Sequence, residues 1–306
     1  MKIFITGARG YIGGAVAAAL VEAGHAVSGL ARSAATGEAL KARGIVPVRG
    51  ALDDRDTLAA ARAADVTVNA ANAGHRGAAE TLLAALAGSG KTLVHTSGSS
   101  IVGTRAAGEL VEAVFDEATP FSPTPQRAER VAIDQAVRAA AGLRAIVICP
   151  SLIYGRGSGL NAASIQVPWL IALAKKAGVA KHIGSGANRW SNVAIDDVAS
   201  LYVAAIERAP AGAFYFAENG ENSMRETCEA ISRMLGFGGR TQAMTVAEAA
   251  AEWGEGAAQD TMGSNSRVRA RRARAELGWR PAGAPLIAEI ERGCYAQDEG
   301  RVAAGG

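Results

Sequence analysis

The sequence is poor in aromatic residues and in cysteine, and it carries little excess charge. Aromatics account for 5% of its 306 residues and the formal net charge is only +3. With no basic stripe interleaved with stacking rings, no nucleic acid is expected as a partner. The three cysteines, Cys149, Cys228 and Cys294, lie far apart and form no C-x-x-C or His/Cys ligand cluster. No metal is therefore expected, and a reducing cytoplasm is the predicted setting. Long apolar runs are also missing. The longest apolar-looking stretch, Tyr11 to Ala31, contains Glu22, Gly24 and His25, so it reads as helix, turn and strand and not as a membrane span. The first strand starts at the initiator methionine, which predicts no signal peptide.

Small and apolar residues are plentiful. Hydrophobic residues make up 49% and charged residues 20%, with 37 glycines, a composition suited to helices packed closely on a sheet and not to disorder. The stretch that organises the rest is Lys2-Ile-Phe-Ile-Thr-Gly-Ala-Arg-Gly-Tyr-Ile-Gly13 and the Ala-rich segment after it. An apolar run from Ile3 to Ile5 predicts a buried strand; Gly7, Gly10 and Gly13 are three apart; Ala15 to Ala23 predicts a helix. Glycines let the backbone turn sharply and approach a pyrophosphate, whose charge meets free N–H groups and the positive end of the helix dipole. The G-x-x-G-x-x-G spacing differs from the common G-x-G-x-x-G, and its weight comes from the strand before it and the helix after it. A tight turn without a ligand is the other reading.

The alternation then continues. Strands are expected at His25–Leu30, Ile45–Val48, Val66–Asn69, Thr92–His95 and Arg144–Cys149, with helices near Thr36–Arg43, Thr57–Ala64, Ala78–Ala87 and Arg127–Ala141. Regular βα alternation with short connections predicts an α/β fold with a doubly wound parallel sheet covered on both faces. Ligands bind at the carboxyl ends of such strands. Those ends carry Gly7-Ala-Arg-Gly, Ala31-Arg-Ser, Leu52-Asp-Asp, Asn69-Ala70-Ala71-Asn and Thr96-Ser-Gly-Ser-Ser. Between Thr104 and Pro125 an extended loop is expected. After Pro150 the rhythm stops, so 1–150 is expected to bind the dinucleotide and 151–306 to be mainly the substrate side, with 192–217 returning to the sheet. Helices are expected near Val167–Lys176, Asp196–Arg208, Arg225–Leu235 and Pro285–Tyr295, and the tail from Val302 is expected to fray. The five arginines of Arg267–Arg274 read as a short helix with a solvated face.

The end of the second strand bears on which nicotinamide is bound. A carboxylate there bonds the ribose hydroxyls of NAD, whereas arginine accommodates the 2′-phosphate of NADP. The strand ends Leu30-Ala-Arg-Ser33 with no acid, so Arg32 and Ser33, with Arg9 from the glycine turn, predict NADP(H), with NAD(H) as the alternative. Solvated surface arginines are the other reading of this pair. Asp53 is expected either to meet the adenine amino group or to cap the next helix.

Four segments in order resemble the extended short-chain dehydrogenase/reductases, the group of NAD(P)-dependent epimerases and dehydratases. They are Thr6-Gly-Ala-Arg-Gly-Tyr11-Ile12-Gly, Cys149-Pro-Ser-Leu-Ile-Tyr154-Gly, Asn188-Arg-Trp-Ser-Asn-Val-Ala-Ile-Asp-Asp-Val-Ala and Leu277-Gly-Trp-Arg-Pro. The resemblance implies a Rossmann domain with a smaller C-terminal substrate part and a cofactor lying along the strand ends. It also implies that Pro150, Ser151 and Leu152 flank the nicotinamide, that Tyr154, Asn188, Arg189 and Trp190 belong to the substrate side, and that two chains pair through helices like Arg127–Ala141. Arg189 is open to a second reading, as a salt bridge to an acid such as Asp197.

The sequence departs from this family at one place. Where the family has Tyr-x-x-x-Lys, this chain has Gln126-Arg-Ala-Glu-Arg130, followed by Asp134 at the family's acidic position, and no Tyr-x-x-x-Lys occurs elsewhere. Glutamine cannot act as a general acid. Aligned on Gly103, the family's catalytic Ser/Thr falls at Gly98, which leaves Ser97 or Ser99 to bond a substrate oxygen, with a bound water as the other proton source and a plain serine-rich strand-end turn as the other reading of the cluster. Arg130 is expected to bond the nicotinamide ribose as the family's lysine does, with a solvated helix position as the other reading; it is a poor proton shuttle but a good stabiliser of a developing oxyanion. His75 and His182 are weaker candidates. The reading is an NADP(H)-preferring oxidoreductase acting on a small carbonyl or alcohol. Its alternatives are a non-catalytic dinucleotide-binding sensor or a sugar-nucleotide epimerase.

Overall fold

The structure, a computed structural model, describes residues 1–304 except Asp53, so both expectations for that carboxylate lie outside the described residues. Its centre is a parallel sheet built by the apolar runs. Strands β1 (Lys2–Thr6), β2 (Ala26–Ala31), β3 (Val46–Arg49), β4 (Val66–Asn69) and β5 (Thr92–Thr96) are joined by Arg144–Pro150 and Ala213–Ala217. Across the sheet the order is Ala213–Ala217, Arg144–Pro150, β5, β4, β1, β2, β3, and every neighbouring pair is parallel. β1 is an interior strand covered on both faces, so Ile3, Phe4 and Ile5 are all buried. Each contributes about 1.5–3 kcal/mol by leaving water.

Helices cover the sheet: α1 (Tyr11–Glu22), α2 (Ala34–Lys41), α3 (Arg55–Ala63), α4 (Arg76–Leu86), α5 (Pro125–Arg138) and α7 (Ile195–Arg208), while α6 (Gln166–Ala177) belongs to the second core described below. α1 packs on α7, with Ala15 against Ile195 and Ala199, while α3, α4 and α5 pack side by side. The small residues of α1 also bring Gly14 against Gly159, where an added Cβ would meet main chain at 2.9 Å. Pro125 opens α5, where its missing N–H costs nothing.

A second core lies beyond Pro150. The strands Leu152–Tyr154, Arg189–Ala194 and Glu221–Ser223 form one small sheet, and Ala180–Ile183 pairs with Thr241–Met244. Around them pack α6 and the helices Met224–Met234, Val246–Trp253 and Leu286–Arg292. Met224–Met234 begins with a capping box between Ser223 and Glu226. Cys149 is buried in the first core and Cys228 in the second, with Cys294 half-buried against the second.

Three local expectations change. The helix expected over Pro285–Tyr295 is two, Leu286–Arg292 and Cys294–Ala304, separated at Gly293, where the backbone is extended. The loop after Thr104 contains two short strands, Thr104–Arg105 against Ser264–Asn265 and Phe115–Asp116 against Val268–Arg269. The arginine run is not a solvated helical face. Only Arg271–Leu277 is helical, and Arg267 and Arg269 both reach Glu221, Arg271 reaches Asp116, Arg272 reaches Glu276 and Arg274 reaches Glu218.

Candidate active site

The glycine turn is set by close main-chain approaches. Gly7 has φ +75°, and a Cβ there would fall 2.4 Å from the Ala70 carbonyl oxygen. A Cβ at Gly13 would fall 2.4 Å from the Gly7 carbonyl oxygen, so the turn folds onto the first turn of α1. Gly10 is the N-cap of α1. No side chain caps that helix and no acid sits in its first turn, which leaves its N–H groups and dipole directed into open space. Tyr11 donates its hydroxyl to the Gly155 carbonyl at 2.7 Å and ties α1 to the loop after Tyr154.

Two cavities meet over the strand ends. One, of about 1040 Å³, is lined by Gly7, Arg9, Arg32, Ser33 and Leu160 among others; the other, of about 720 Å³, by Ile12, Ser97, Arg130, Pro150, Ser151 and Trp190 among others. Gly10, Ala70, Ala71, Asn72 and Asn161 line both, so they form one groove. At its first half no acid stands at the end of β2, and among the described residues neither Arg9 nor Arg32 is ion-paired. Ser33 caps α2, accepting from the Thr36 N–H at 3.2 Å and donating to the Thr36 hydroxyl at 3.0 Å. His75 caps α4 in the same way, accepting from the Ala78 N–H.

At the other half a buried polar chain lies under the groove. Thr6 donates to Asn69 Oδ1 at 2.8 Å, and Asn69 Nδ2 bonds His95 Nδ1 at 3.1 Å. This places the imidazole proton on Nε2, which faces Asp134 Oδ1 at 3.7 Å. Burial, with Arg130 nearby, lowers the His95 pKa to about 4, so this is the contact of a neutral ring and not an ion pair. Ser97 donates to Asp134 Oδ2 at 2.6 Å. Burial raises the Asp134 pKa to about 6 against the opposing pull of the Ser97 hydrogen bond. A cavity-lining hydroxyl thus rests on a buried carboxyl that titrates near neutrality.

Arg130 donates to Ser100 Oγ at 3.1 Å, and its Nη1 lies 3.4 Å from the place a Gly98 Cβ would occupy. Gln126 is exposed and does not line the cavity, whereas Arg127 and Arg130, one helical turn apart, do. Ser99 also lines it, but its hydroxyl is bonded to Ser266 Oγ at 2.8 Å and its carbonyl accepts from the same serine at 2.8 Å. Ser151 donates to the Ala217 carbonyl at 2.9 Å.

Other predicted residues stand behind the wall. Leu152 is buried in the second core. Tyr154 donates to the Ala284 carbonyl at 2.7 Å, and burial raises its phenol pKa. Asn188 donates to the Met262 and Ser264 carbonyls at 2.9 and 2.7 Å. Arg189 is paired with Glu221 at 3.0 Å and Glu226 at 3.4 Å. His182 lies buried in the strand Ala180–Ile183. The wall also includes Arg127, Trp169, Asp260 and Thr261, which sequence reasoning passed over. For Arg127 a signal existed, since it lies three residues before Arg130 on a helix.

An uncapped helix start and a groove along the carboxyl ends of a parallel sheet define a Rossmann-type nucleotide-binding protein. The model of the NAD dependent epimerase/dehydratase family matches residues 3–215. The chain is 33% identical to an oxidase, ucsJ, of Acremonium sp, over 95% of each sequence. It is 31% identical to a 2-alkyl-3-oxoalkanoate reductase of Stenotrophomonas maltophilia over 77% of this chain and 76% of the other. Its fold is similar to that of a dTDP-glucose 4,6-dehydratase from Bacillus anthracis in complex with NAD, with TM-score 0.77, 18% identity, and 99% and 98% of the two chains covered. The chain belongs to the NAD-dependent epimerase/dehydratase family and, as a member, is an NAD(P)-binding protein of the oxidoreductase class. Among the described residues no helix is long and apolar enough to cross a membrane, and no group of three or more His, Cys, Asp or Glu side chains is arranged to hold a metal.

Proposed function

We propose that the chain is an NADP(H)-preferring oxidoreductase that interconverts a small carbonyl compound and its alcohol. The observation that carries the reading is the single groove with arginines Arg9 and Arg32 at one end and the Ser97–Asp134 pair with Arg130 at the other. The residues fit a dinucleotide. A Cβ at Gly10 would meet only the Gly7 carbonyl, at 3.1 Å, so its outer side is left to the ligand, and the uncapped α1 offers N–H donors to a pyrophosphate. Arg9 and Arg32 supply the charge for a 2′-phosphate, with no carboxylate at the end of β2 to oppose it.

When bound, the cofactor supplies or accepts the hydride. Proton traffic falls to the chain's own residues. In the oxidising direction the substrate hydroxyl proton passes to Ser97 Oγ while the serine's own proton moves to Asp134 Oδ2. In the reducing direction a protonated Asp134 returns it along the same path. Arg130, beside Gly98, stabilises negative charge on the substrate oxygen without moving a proton. Ser99, held by Ser266, keeps the wall in place. The reductase among the relatives, whose name specifies an oxo substrate, supports carbonyl chemistry.

Titration of tryptophan fluorescence with NADPH and NADH tests the cofactor assignment. NADPH is expected to bind more tightly; equal affinity would remove the roles given to Arg9 and Arg32.

A further inference from the structure

The substrate end of the groove carries more positive charge than its own acids neutralise. Arg127 and Arg130 both line it from α5, and Arg105 stands behind Asp260. Asp260 is already taken, receiving Arg105 Nε at 2.6 Å and Nη2 at 3.2 Å. Asp134, the other acid nearby, accepts from Ser97. Arg130 has Ser100 for a partner. Arg127 has none: it is half-buried, its Nε is shielded from water without a hydrogen-bond acceptor, and it is in no ion pair among the described residues. Burial, then repulsion from Arg130, pushes its pKa down against the attraction of Asp260, a carboxylate whose hydrogen bonds already go to Arg105. A half-buried guanidinium with an unused donor is costly to a fold unless something completes it. Its planar fork matches a carboxylate in two parallel hydrogen bonds. Ile165, Trp169 and Trp190 give the same cavity an apolar wall.

We infer that Arg127 receives a carboxylate of the substrate, so that the compounds turned over are oxo acids or hydroxy acids with a short apolar chain, not neutral ketones or alcohols. This rests on the oxidoreductase reading of the groove, to which it adds the substrate class. In the resulting arrangement the carboxylate sits on Arg127, the apolar chain lies along Trp169 and Trp190, and the reacting oxygen is left to Ser97 and Arg130.

The probe pair is hexanoate and hexanamide, which share shape and differ in charge. Their binding to the NADP⁺-saturated protein is followed by tryptophan fluorescence, for which Trp169 and Trp190 stand in the cavity wall. Hexanoate is expected to bind about tenfold or more tightly than hexanamide, the size of effect a charge-assisted hydrogen bond produces. Arg127→Gln is expected to abolish that preference while NADPH affinity stays within about twofold of the parent, given that no ion pair is broken by the change. Equal binding of the two probes by the unaltered protein overturns the inference even where the variant fails to fold. A large loss of NADPH affinity in Arg127→Gln also overturns it, because the arginine would then serve the cofactor. If NADPH does not bind the unaltered protein at all, the oxidoreductase reading fails first and the substrate assignment falls with it.

Discussion

At the scale of the residue, Asp134 is the group on which the proposed proton relay turns. Its folded pKa, raised by burial from 3.8 to about 6, means that the native state holds the proton more tightly than the unfolded chain does. The stabilisation this gives is full below the unfolded value and is lost as pH rises through about 6, above which an ionised carboxylate is buried. Asp134→Asn is therefore expected to raise the unfolding temperature more at pH 8 than at pH 5, a difference visible by calorimetry. The same titration predicts opposite pH profiles for the two directions. Alcohol oxidation should fall as pH drops below about 6, and carbonyl reduction should fall as pH rises above it, with Asp134→Asn flattening both. Ser97→Ala is expected to lower turnover by roughly 10²–10⁴ while leaving NADPH affinity nearly intact, and unchanged turnover would remove Ser97 from the relay. Part of this was legible in advance: the missing tyrosine, Gly98, the arginine at 130 and the two serines all come from the resemblance to the family. What spacing does not give is which serine is spoken for. Ser99 is engaged by Ser266, a residue far along the chain, whereas Ser97 is engaged by Asp134 on the next helix.

At the scale of the element, strand, turn and helix were readable because each βα unit announces itself by an apolar run and a small-residue helix. The glycine turn adds a steric argument the sequence only hints at. Since a Cβ at Gly13 would be 2.4 Å from main chain that cannot retreat, Gly13→Ala is expected to cost about 1–3 kcal/mol in denaturant unfolding and to weaken NADPH binding. The end of β2 makes a different prediction. Arg32→Ala should lower the NADPH/NADH affinity ratio by roughly tenfold, with NADH affinity little changed, in the same fluorescence titration. Elements of the second core were less legible. Its strands are short, and three of them carry buried polar side chains, His182, Ser191 with Asn192, and Ser223; the pairings at Thr104–Arg105 and Phe115–Asp116 join segments about 150 residues apart, which no local pattern encodes.

At the scale of the whole molecule, Glu221 acts as a clasp. It accepts from Arg189, which flanks Trp190 of the second core, and from Arg267 and Arg269, which flank Val268 of the first. Burial opposes its ionisation, but Arg267 and Arg269 hold its pKa below the usual carboxylate range. Its folded pKa is the lower one, so its contribution is present at neutral pH and is lost as pH falls through the carboxylate range. Glu221→Gln is expected to cost up to about 3 kcal/mol at pH 7, and less at pH 4, in chemical denaturation. Two arginines of this clasp, Arg267 and Arg269, were visible in the sequence as part of a run, but their partner was not, because Glu221 lies on another strand, 46 residues before Arg267.

The placement of the thiols turns this arrangement into a clock. Cys149 lies within the first core with its pKa pushed well up by burial, and Cys228 lies within the second with its pKa pushed up to about 12. Neither offers a thiolate to an alkylating reagent while the protein is folded. A label on Cys149 or Cys228 then records one opening event, and the peptide that bears it names the half of the molecule that opened, whereas half-buried Cys294 does not report on either core.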